Sequence, residues 1–431
     1  MAPVSSCAST TQVQALGLPD LPWLRPAAAR RLIARSTRMV PPALKTIALA
    51  TMTLCVLTTD VTAQTKRDAL ADLLSQVQAQ YRFPGATAAI ALPDSTLVTA
   101  ATGLADIEMR RAMSPEDRML AASIGKTFVA ATALSLEADD LLSRADLVSD
   151  HIGDLEGFDR LPNHASMTVG DLMRHTAGLP DHVHQGAFQA EMARRMTSGA
   201  AAMSPEEAIA FVFDAEPLFP AGSGWSYSDT GYLLLGLVIE AASDRDYYDL
   251  VAERFLAPLA LGATTPSDRP DLPGLEVGYV DEDNPFGLPS RTMDSKGRML
   301  WDPSMEWTGG GLVSTSGDLA TWGQALFTEA AMGAPYLDRM LDAVPVAPDA
   351  PGILYGAGVA IYADTPLGPV YGHGGWIPGY VSSLRHYADH DVTVAFQINT
   401  DAGVTDDGTD LVPVLEAALA DLAIAMAQTS Q

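Results

Sequence analysis

The chain has 431 residues, of which 48% are hydrophobic and 18% charged, with 26 Lys and Arg against 53 Asp and Glu. This length and apolar content predict a globular fold with room for two core-building regions. The formal net charge of −27 argues against nucleic acid and anionic lipid as partners, because both are themselves negatively charged.

Residues 45–63 have the pattern of an export signal. Lys45 precedes an apolar run of about a dozen residues, and the segment closes on Val61 and Ala63, which fit a small-residue cleavage rule. The run is too short for a transmembrane helix, and no later stretch is expected to be long enough for one. We therefore predict that residues 1–64 are a cleaved signal peptide, and that the protein is periplasmic or secreted without a stable membrane anchor.

The start of the chain leaves one alternative open. Met39 is a possible start site, which would make residues 1–38 an upstream over-read. Cleavage after the signal removes both cysteines, Cys7 and Cys55, so no disulfide or cysteine metal site is expected afterwards. Residues 65–431 are predicted to form the functional domain.

The predicted elements of this domain begin with an amphipathic helix over 65–81 and a hairpin over 85–106. Helical spacing or capping signals then occur at 120–134, 168–179, 204–213, 229–243 and 246–259. An irregular segment is predicted for 265–308, and the last part holds helices at 316–327 and 410–427 with strands at 355–364, 368–375, 380–388 and 391–400. This order predicts an α/β (α+β) fold: an antiparallel sheet flanked by helices, with an inserted, mostly helical region over about 137–270.

The helix over 120–134 is apolar except for Lys126, one of three lysines after residue 64. Residues i and i+3 share a helix face, so Lys126 can meet Ser123. A serine hydroxyl needs a group that takes its proton, and a lysine in apolar surroundings near a helix N-terminus can do so. The pair therefore indicates a nucleophile and its base.

Two later stretches support this interpretation. Tyr227 lies in a turn before an apolar helix, where a phenol can pass protons between nucleophile and leaving group. His373, Gly374 and Gly375 lie at the end of a predicted strand, and glycines there let a substrate approach the backbone. The next amide, that of Trp376, can pair with the Ser123 amide as an oxyanion hole.

The motifs "SIGK", "YSD" and "HGG" occur in this order, with supporting stretches "LMRHTAGLP", "WSYSDTGYLLLG" and "TGGGLVSTSGDLATW". Over about residues 68–427 the chain resembles the serine β-lactamase and penicillin-binding protein superfamily. It is most similar to the class C β-lactamase-related branch, which includes D-alanyl-D-alanine carboxypeptidases, D-aminopeptidases and lactamase-like carboxylesterases.

The resemblance implies a role for each motif residue and no metal or organic cofactor. Ser123 would be the acylated nucleophile, Lys126 its activator, and Tyr227 the proton donor to the leaving group that also helps to activate the deacylating water. His373 stands where many relatives have the lysine of a K-T-G motif. The amides of Ser123 and Trp376 would form the oxyanion hole.

Asp229 departs from the family pattern. Relatives usually have Tyr-x-Asn here, and the asparagine amide donates a hydrogen bond to the substrate and touches the catalytic lysine. An ionised aspartate only accepts hydrogen bonds, so it repels a substrate carbonyl and favours the charged form of Lys126. Asp229 is therefore expected to be protonated, to turn away, or to face a substrate that presents a donor.

Several other residues invite a functional interpretation that we do not adopt. His175, Asp181, His182 and His184 resemble a metal cluster, but the stretch "HTAGLP" that begins at His175 matches a structural stretch of the family. Trp225 and Tyr232 are predicted to be core or cleft-wall residues. Residues 309–311 are three glycines without the Lys-Ser/Thr of a nucleotide site, so a tight backbone crossing is expected.

The sequence therefore predicts a serine hydrolase that acts through an acyl-enzyme on Ser123 and cleaves esters or small amides and peptides related to D-amino acids. One alternative is a true β-lactamase or D-alanyl-D-alanine carboxypeptidase, which requires that Asp229 tolerates amide substrates. Another is a penicillin-binding sensor that acylates without turnover. The expected partner is a small ester, peptide or β-lactam-like substrate; the oligomeric state, and whether 265–308 form a lid, are left open.

Overall fold

The structure, a computed structural model, describes residues 53–198, 201–282, 284–404 and 409–429. Residues 1–52 of the predicted signal peptide lie outside the described residues. Its last part, from Thr53, is the beginning of a helix that continues without a break to Tyr81. The cleavage site after Ala63 therefore falls within this helix, and its cleavage stays a prediction.

The helices and strands alternate unevenly along the chain. The α-helices of the described residues are α1 Thr53–Tyr81, α2 Gly125–Ala138, α3 Val148–Ile152, α4 Val169–Arg174, α5 Gly186–Ser198, α6 Pro205–Ile209, α7 Asp229–Ser243, α8 Tyr247–Val251, α9 Ser316–Phe327, α10 Tyr336–Met340 and α11 Leu411–Gln428. The strands are β1 Gly85–Ala91, β2 Leu97–Asp106, β3 Arg111–Ala112, β4 Met119–Leu120, β5 Thr265–Pro266, β6 Leu312–Ser314, β7 Val344–Pro345, β8 Ile353–Tyr355, β9 Ala360–Tyr362, β10 Val370–Ile377, β11 Tyr380–Tyr387 and β12 Val392–Ile398.

The main sheet has nine strands in the order β3-β2-β1-β12-β11-β10-β9-β8-β7. Each neighbouring pair is antiparallel, and the β1–β12 pair, with Ala86 opposite Ile398, joins the two ends of the domain. A second sheet, β4-β6-β5, is small and connects the segment before α2 to the segment before α9. Every residue of β1 is buried, because helices cover both faces of the main sheet.

Helices α1 and α11 pack on one face of the main sheet, and α9 packs on the other. Buried residues recur at helical spacing on the two terminal helices, as at Leu70, Leu74 and Val77 of α1. Helix α11 has the length and mean hydropathy of a candidate membrane span, contrary to the expectation that no later stretch is long enough. Its face of Leu415 and Leu419 is nevertheless buried against the sheet, as in the core helices of globular domains.

The segment from α3 to α8 is mostly helical, and its helices α3, α4 and α6 pack on α7, which in turn packs on α2. The predicted fold class, an antiparallel sheet with flanking helices and a helical insertion, is therefore confirmed. The long segment after α8 contains little regular structure, as predicted for 265–308.

Some predicted boundaries were wrong, for identifiable reasons. The helix expected from Leu120 starts later, because Leu120 pairs with Val313 in β4–β6. The helix expected over 168–179 ends at Arg174, because His175 adopts a left-handed conformation with φ 59°. The strand expected over 355–364 is split into β8 and β9 by a turn at Gly358, which has φ 67°.

Candidate active site

The nucleophile turn lies between β4 and α2. Ala122 has a left-handed φ of 50°, and residues 122–124 then form a 3-10 turn that leads into α2. A non-glycine residue in this conformation is uncommon and is often found at functional sites. The sharp change of direction presents Ser123 to the cavity between the sheet and the helical insertion.

Lys126 is fully buried, and three acceptors surround its ammonium group. Its Nζ lies 3.1 Å from Ser123 Oγ, as the i, i+3 spacing predicts. The same nitrogen forms an ion pair with Asp229 Oδ1 and donates to the carbonyl oxygen of Gly309. The rings of Tyr227 and Tyr232 lie 4.9 and 5.3 Å from Nζ. The lysine is therefore compatible with an apolar helix because its own hydrogen bonds are satisfied inside the core.

Tyr227 lies in the extended segment before α7, and its hydroxyl donates to Ser123 Oγ over 2.8 Å. Burial and the nearby Asp229 charge raise the pKa of Tyr227 well above its usual value, so the phenol keeps its proton at neutral pH. The His175 ring packs on Tyr227 with centroids 4.3 Å apart, and His175 Nδ1 accepts a hydrogen bond from the Ser228 amide. His175 thus holds the tyrosine segment in place.

Asp229 is the first residue of α7, capped by Ser228. One of the three expectations was that Asp229 turns away from the site. This expectation is wrong, because Asp229 faces Lys126. The Asp229 side chain is 25% exposed, and its carboxylate also faces the cavity. Two of the three expectations remain: a protonated Asp229, or a substrate that presents a donor.

Strand β10 runs along the nucleophile turn, and its glycine makes this approach possible. A Cβ at Gly375 would lie 2.5 Å from Ala121 O and 2.2 Å from Ser382 Oγ, which no side chain tolerates. Ser382 Oγ of β11 donates to Ala121 O over 2.8 Å, and so ties the sheet to the turn. Trp376 follows on β10, lines the cavity and donates from its indole Nε1 to Asp401 Oδ2 over 3.2 Å. The proposed oxyanion amides of Ser123 and Trp376 remain a prediction.

His373 is fully buried behind the cavity wall. Its Nδ1 lies 2.5 Å from the carbonyl oxygen of Gly374, and its Nε2 lies 2.8 Å from the Tyr355 hydroxyl. These partners assign a neutral ring that donates from Nδ1. Burial, with Lys126 nearby, holds the pKa of His373 well below its usual value. The His373 and Tyr227 rings are 6.2 Å apart, so His373 supports the site from behind rather than lining it.

The cavity at Ser123 has an apolar wall and an acidic floor. Its polar lining includes Ser123, His182, Asp229 and Glu306. The apolar lining consists of Val183, Phe188, Met192, Leu233, Phe286, Leu288, Trp301, Met305, Trp376, Ile377 and Pro378. No arginine or lysine is among the described lining residues. The cavity therefore fits a bulky apolar group joined to a cationic or hydrogen-bond-donating one.

Two acids beside Asp229, the buried Asp181 and the half-buried Glu306, carry shifted pKa values. Burial, with the Asp229 charge, raises the pKa of Asp181 to about 8. Burial also raises the pKa of Glu306 to about 8, although Lys126 partly opposes the shift. Sequence reasoning missed Glu306, because an acid in an irregular segment carries no local signal of a site.

The histidines considered as metal ligands have other roles in the structure. His182 Nδ1 lies 3.0 Å from Thr230 Oγ1, and His184 is exposed. Within the described ranges, no group of three or more His, Cys, Asp or Glu residues is placed to hold a metal ion.

The three glycines at 309–311 form a tight backbone crossing. Gly310 has φ 155°, and a Cβ there would lie 2.3 Å from Ala122 O. A Cβ at Gly125 would in turn lie 2.6 Å from Gly310 O. This close contact fixes the nucleophile turn against the segment whose Gly309 carbonyl holds Lys126.

Comparisons with known proteins agree with this geometry. The family model described as Beta-lactamase matches residues 70–419. A penicillin-binding protein of Bacillus subtilis is 26% identical over 346 residues, which cover 78% of this chain and 72% of that protein. A D-aminopeptidase of Brucella ovis is 25% identical over 337 residues, 76% of this chain but only 58% of that protein's length.

Solved structures show the same fold. A D-stereospecific amidohydrolase from Streptomyces sp. superposes with a TM-score of 0.69 at 27% identity, over 81% of this chain and 99% of that one. A D-amino acid amidase from Ochrobactrum anthropi, in complex with D-phenylalanine, gives a TM-score of 0.70 at 23% identity, over 85% and 100% of the two chains. At this identity the second likeness concerns the fold alone.

Proposed function

Because the chain belongs to the β-lactamase family and is a serine hydrolase of that family, we propose that it is an exported amidase that releases D-amino acids from small amides and peptides with a free amino group. Export is supported by the signal pattern over 45–63. The amide substrate is supported by the D-amino-acid specificity in the names of an aminopeptidase and an amidohydrolase to which the chain is similar.

The observation that carries the proposal is that Ser123 and Asp229 line the same cavity, whose described lining lacks an arginine or lysine. Substrates with a carboxylate next to the reacting bond, such as β-lactams and acyl-D-Ala-D-Ala peptides, would place like charges together there. An ammonium group meets opposite charge instead. The acidic floor therefore favours an amine-bearing substrate over a carboxylate-bearing one.

The proposed reaction begins from the neutral amine of Lys126, which forms when its ammonium group in the ion pair with Asp229 gives a proton to solvent. Ser123 Oγ then attacks the substrate carbonyl carbon, while its proton passes to Lys126 Nζ. Tyr227 donates its phenolic proton to the leaving nitrogen, the C–N bond breaks, and the amine or ammonia departs. The proton held by Lys126 then restores Tyr227. A water molecule attacks the resulting ester, loses its proton to the Tyr227–Lys126 pair, and releases the acid as Ser123 regains a proton.

The test compares the full chain with its Ser123→Ala variant on D-phenylalanine amide, L-phenylalanine amide, a nitrophenyl ester and a chromogenic cephalosporin. Ser123→Ala is expected to lose nearly all turnover, and the D-amide is expected to exceed the L-amide and the cephalosporin. Ser166→Ala, which changes an exposed serine outside the cavity, is the matched control. Preferred turnover of the cephalosporin, or D-amide turnover that survives Ser123→Ala, would overturn the proposal.

A further inference from the structure

Glu306 occupies a fixed position on the floor of the cavity. Its backbone N–H donates to Pro303 O over 3.1 Å, and its carbonyl accepts from the Gly309 amide over 2.6 Å. A Cβ at Gly309 would lie 3.6 Å from Asp229 Oδ1 and 3.7 Å from Glu306 Cγ. The side chains of Asp229 and Glu306 therefore flank the same glycine, whose carbonyl oxygen receives the Lys126 ammonium.

The Glu306 carboxyl is incompletely satisfied. Its Oε2 is shielded from solvent and has no hydrogen-bond partner among the described residues. A buried polar atom in this state is costly, and in native proteins it usually has a functional partner or a water molecule. The neighbouring acceptors on Asp229 and Gly309 are both directed to Lys126. The Glu306 carboxyl lines the cavity and thus keeps acceptor capacity that Lys126 does not use.

We infer that Glu306 is a specificity residue, whose carboxylate, together with that of Asp229, binds the free ammonium group of the substrate. The inference rests on the proposed function for the identity of the substrate and adds the residue that selects it. The ammonium group supplies three donors and a positive charge, so it can contact both carboxylates at once. The apolar wall, including Phe188 and Leu233, then receives the side chain of the same substrate.

The acidic surroundings explain why a cation is preferred to a neutral donor. Asp181, Asp229 and Glu306 face one buried lysine, while His175, His182 and His373 are held neutral because burial lowers their pKa values. An incoming ammonium is the counter-ion that allows Glu306 to ionise, and Glu306 gives up a proton to solvent as the ammonium binds. A neutral hydroxyl in its place would leave the Glu306 carboxyl protonated.

Binding of a non-reactive amine tests the inference separately from amide hydrolysis. The probes are 2-phenylethylamine and its neutral counterpart 2-phenylethanol, each measured as a competitive inhibitor of nitrophenyl ester hydrolysis by the full chain. Glu306→Gln is expected to raise the inhibition constant of the amine by roughly 10- to 100-fold, the loss typical of a charge-assisted hydrogen bond. The constant for the alcohol is expected to stay within about threefold.

The control variant is Glu156→Gln, which neutralises an exposed acid outside the cavity and should change neither constant. An equal rise for the amine and the alcohol in Glu306→Gln would show a merely structural role and overturn the inference. If that variant does not fold, Glu306→Asp is tested instead, because it withdraws the carboxylate by one methylene. A ratio of the inhibition constants of amine and alcohol equal to that of the parent would then overturn the inference.

The two proposals can fail independently. If the parent enzyme binds the amine through Glu306 but does not hydrolyse D-phenylalanine amide, the ammonium site is supported and the amidase proposal is refuted. Conversely, the parent enzyme can hydrolyse the D-amide while Glu306→Gln still binds the amine in preference to the alcohol as well as the parent does. That result would support the amidase and refute the assignment of Glu306.

Discussion

The Lys126 ammonium and the Asp229 carboxylate form an ion pair directly beneath the nucleophile. Lys126 also contacts Ser123 Oγ, so the acid and the serine are held by the same nitrogen. A change at Asp229 therefore affects both the base and the surface that the substrate meets.

Asp229→Asn exchanges an acceptor-only group for one that also donates. We expect the variant to lose roughly tenfold or more in kcat/KM on D-phenylalanine amide, because one carboxylate of the ammonium site is gone. Turnover of a chromogenic cephalosporin is expected to rise, because the repulsion of its carboxylate is reduced. Steady-state kinetics on both substrates check this, with Asp244→Asn, at the exposed end of α7, as control. Unchanged ratios between the two substrates would contradict it.

Tyr227→Phe removes the hydroxyl that donates to Ser123 Oγ and leaves the ring packed on His175. We expect kcat on the D-amide to fall by about 100- to 10,000-fold, as for loss of a general acid. The melting temperature should change little, because the ring contacts are retained. Tyr371→Phe on β10, outside the cavity lining, serves as control. A variant with near-parental kcat would remove Tyr227 from the proton path.

The buried Asp181 makes the stability of the protein depend on pH. Its pKa is raised to about 8, so between its unfolded value and about pH 8 the folded state holds a proton that the unfolded state has lost. The contribution of Asp181 to stability is therefore present at low pH and falls as the pH rises through this window, by up to about 1.4 kcal/mol per pH unit.

Asp181→Asn mimics the protonated acid and should remove this slope. Urea unfolding at about pH 5 and pH 8 measures it, and the free energy of unfolding of the variant should decline less than that of the parent over this range. Parallel declines in the two proteins would mean that Asp181 is ionised in the folded state.

Gly310→Ala would place a Cβ against Ala122 O, at a backbone φ of 155° that favours glycine. We expect a loss of about 1–3 kcal/mol in stability and a larger proportional loss of activity, because the strain acts on the turn that carries Ser123. Gly262→Ala is the control, since a Cβ there meets nothing within 4 Å. Chemical denaturation and D-amide kinetics measure both effects; full activity in Gly310→Ala would show that the crossing does not position the nucleophile.

The sequence predicted well those features that local patterns determine. Helices α7 and α9 were expected at the residues where they occur, because apolar spacing and capping groups define them. The meeting of Ser123 and Lys126 followed from their i, i+3 spacing, although Ser123 lies in the 3-10 turn before α2 rather than in the helix.

Features set by distant contacts were not predictable in the same way. The short strands β4, β5 and β6 have two or three residues each and exist only because their partners are adjacent in space. Glu306 gains its importance from its position in the cavity beside Asp229, which no local pattern reveals. The close approach of Gly310 to Ala122 likewise joins two segments that are distant in the chain.

The hydrogen bond from Ser382 to Ala121 connects residues 261 positions apart in the chain. The pairing of β1 with β12 spans a still longer interval, so both the sheet and the substrate cavity depend on contacts between early and late segments. Such topologies fold slowly, since distant segments must meet before either is stabilised. During synthesis, a chain that has emerged only as far as α9 already contains Ser123, Lys126 and Tyr227 but lacks β10. We therefore expect hydrolytic activity to arise late and abruptly, when the final strands join the sheet, and a nascent chain to be catalytically silent.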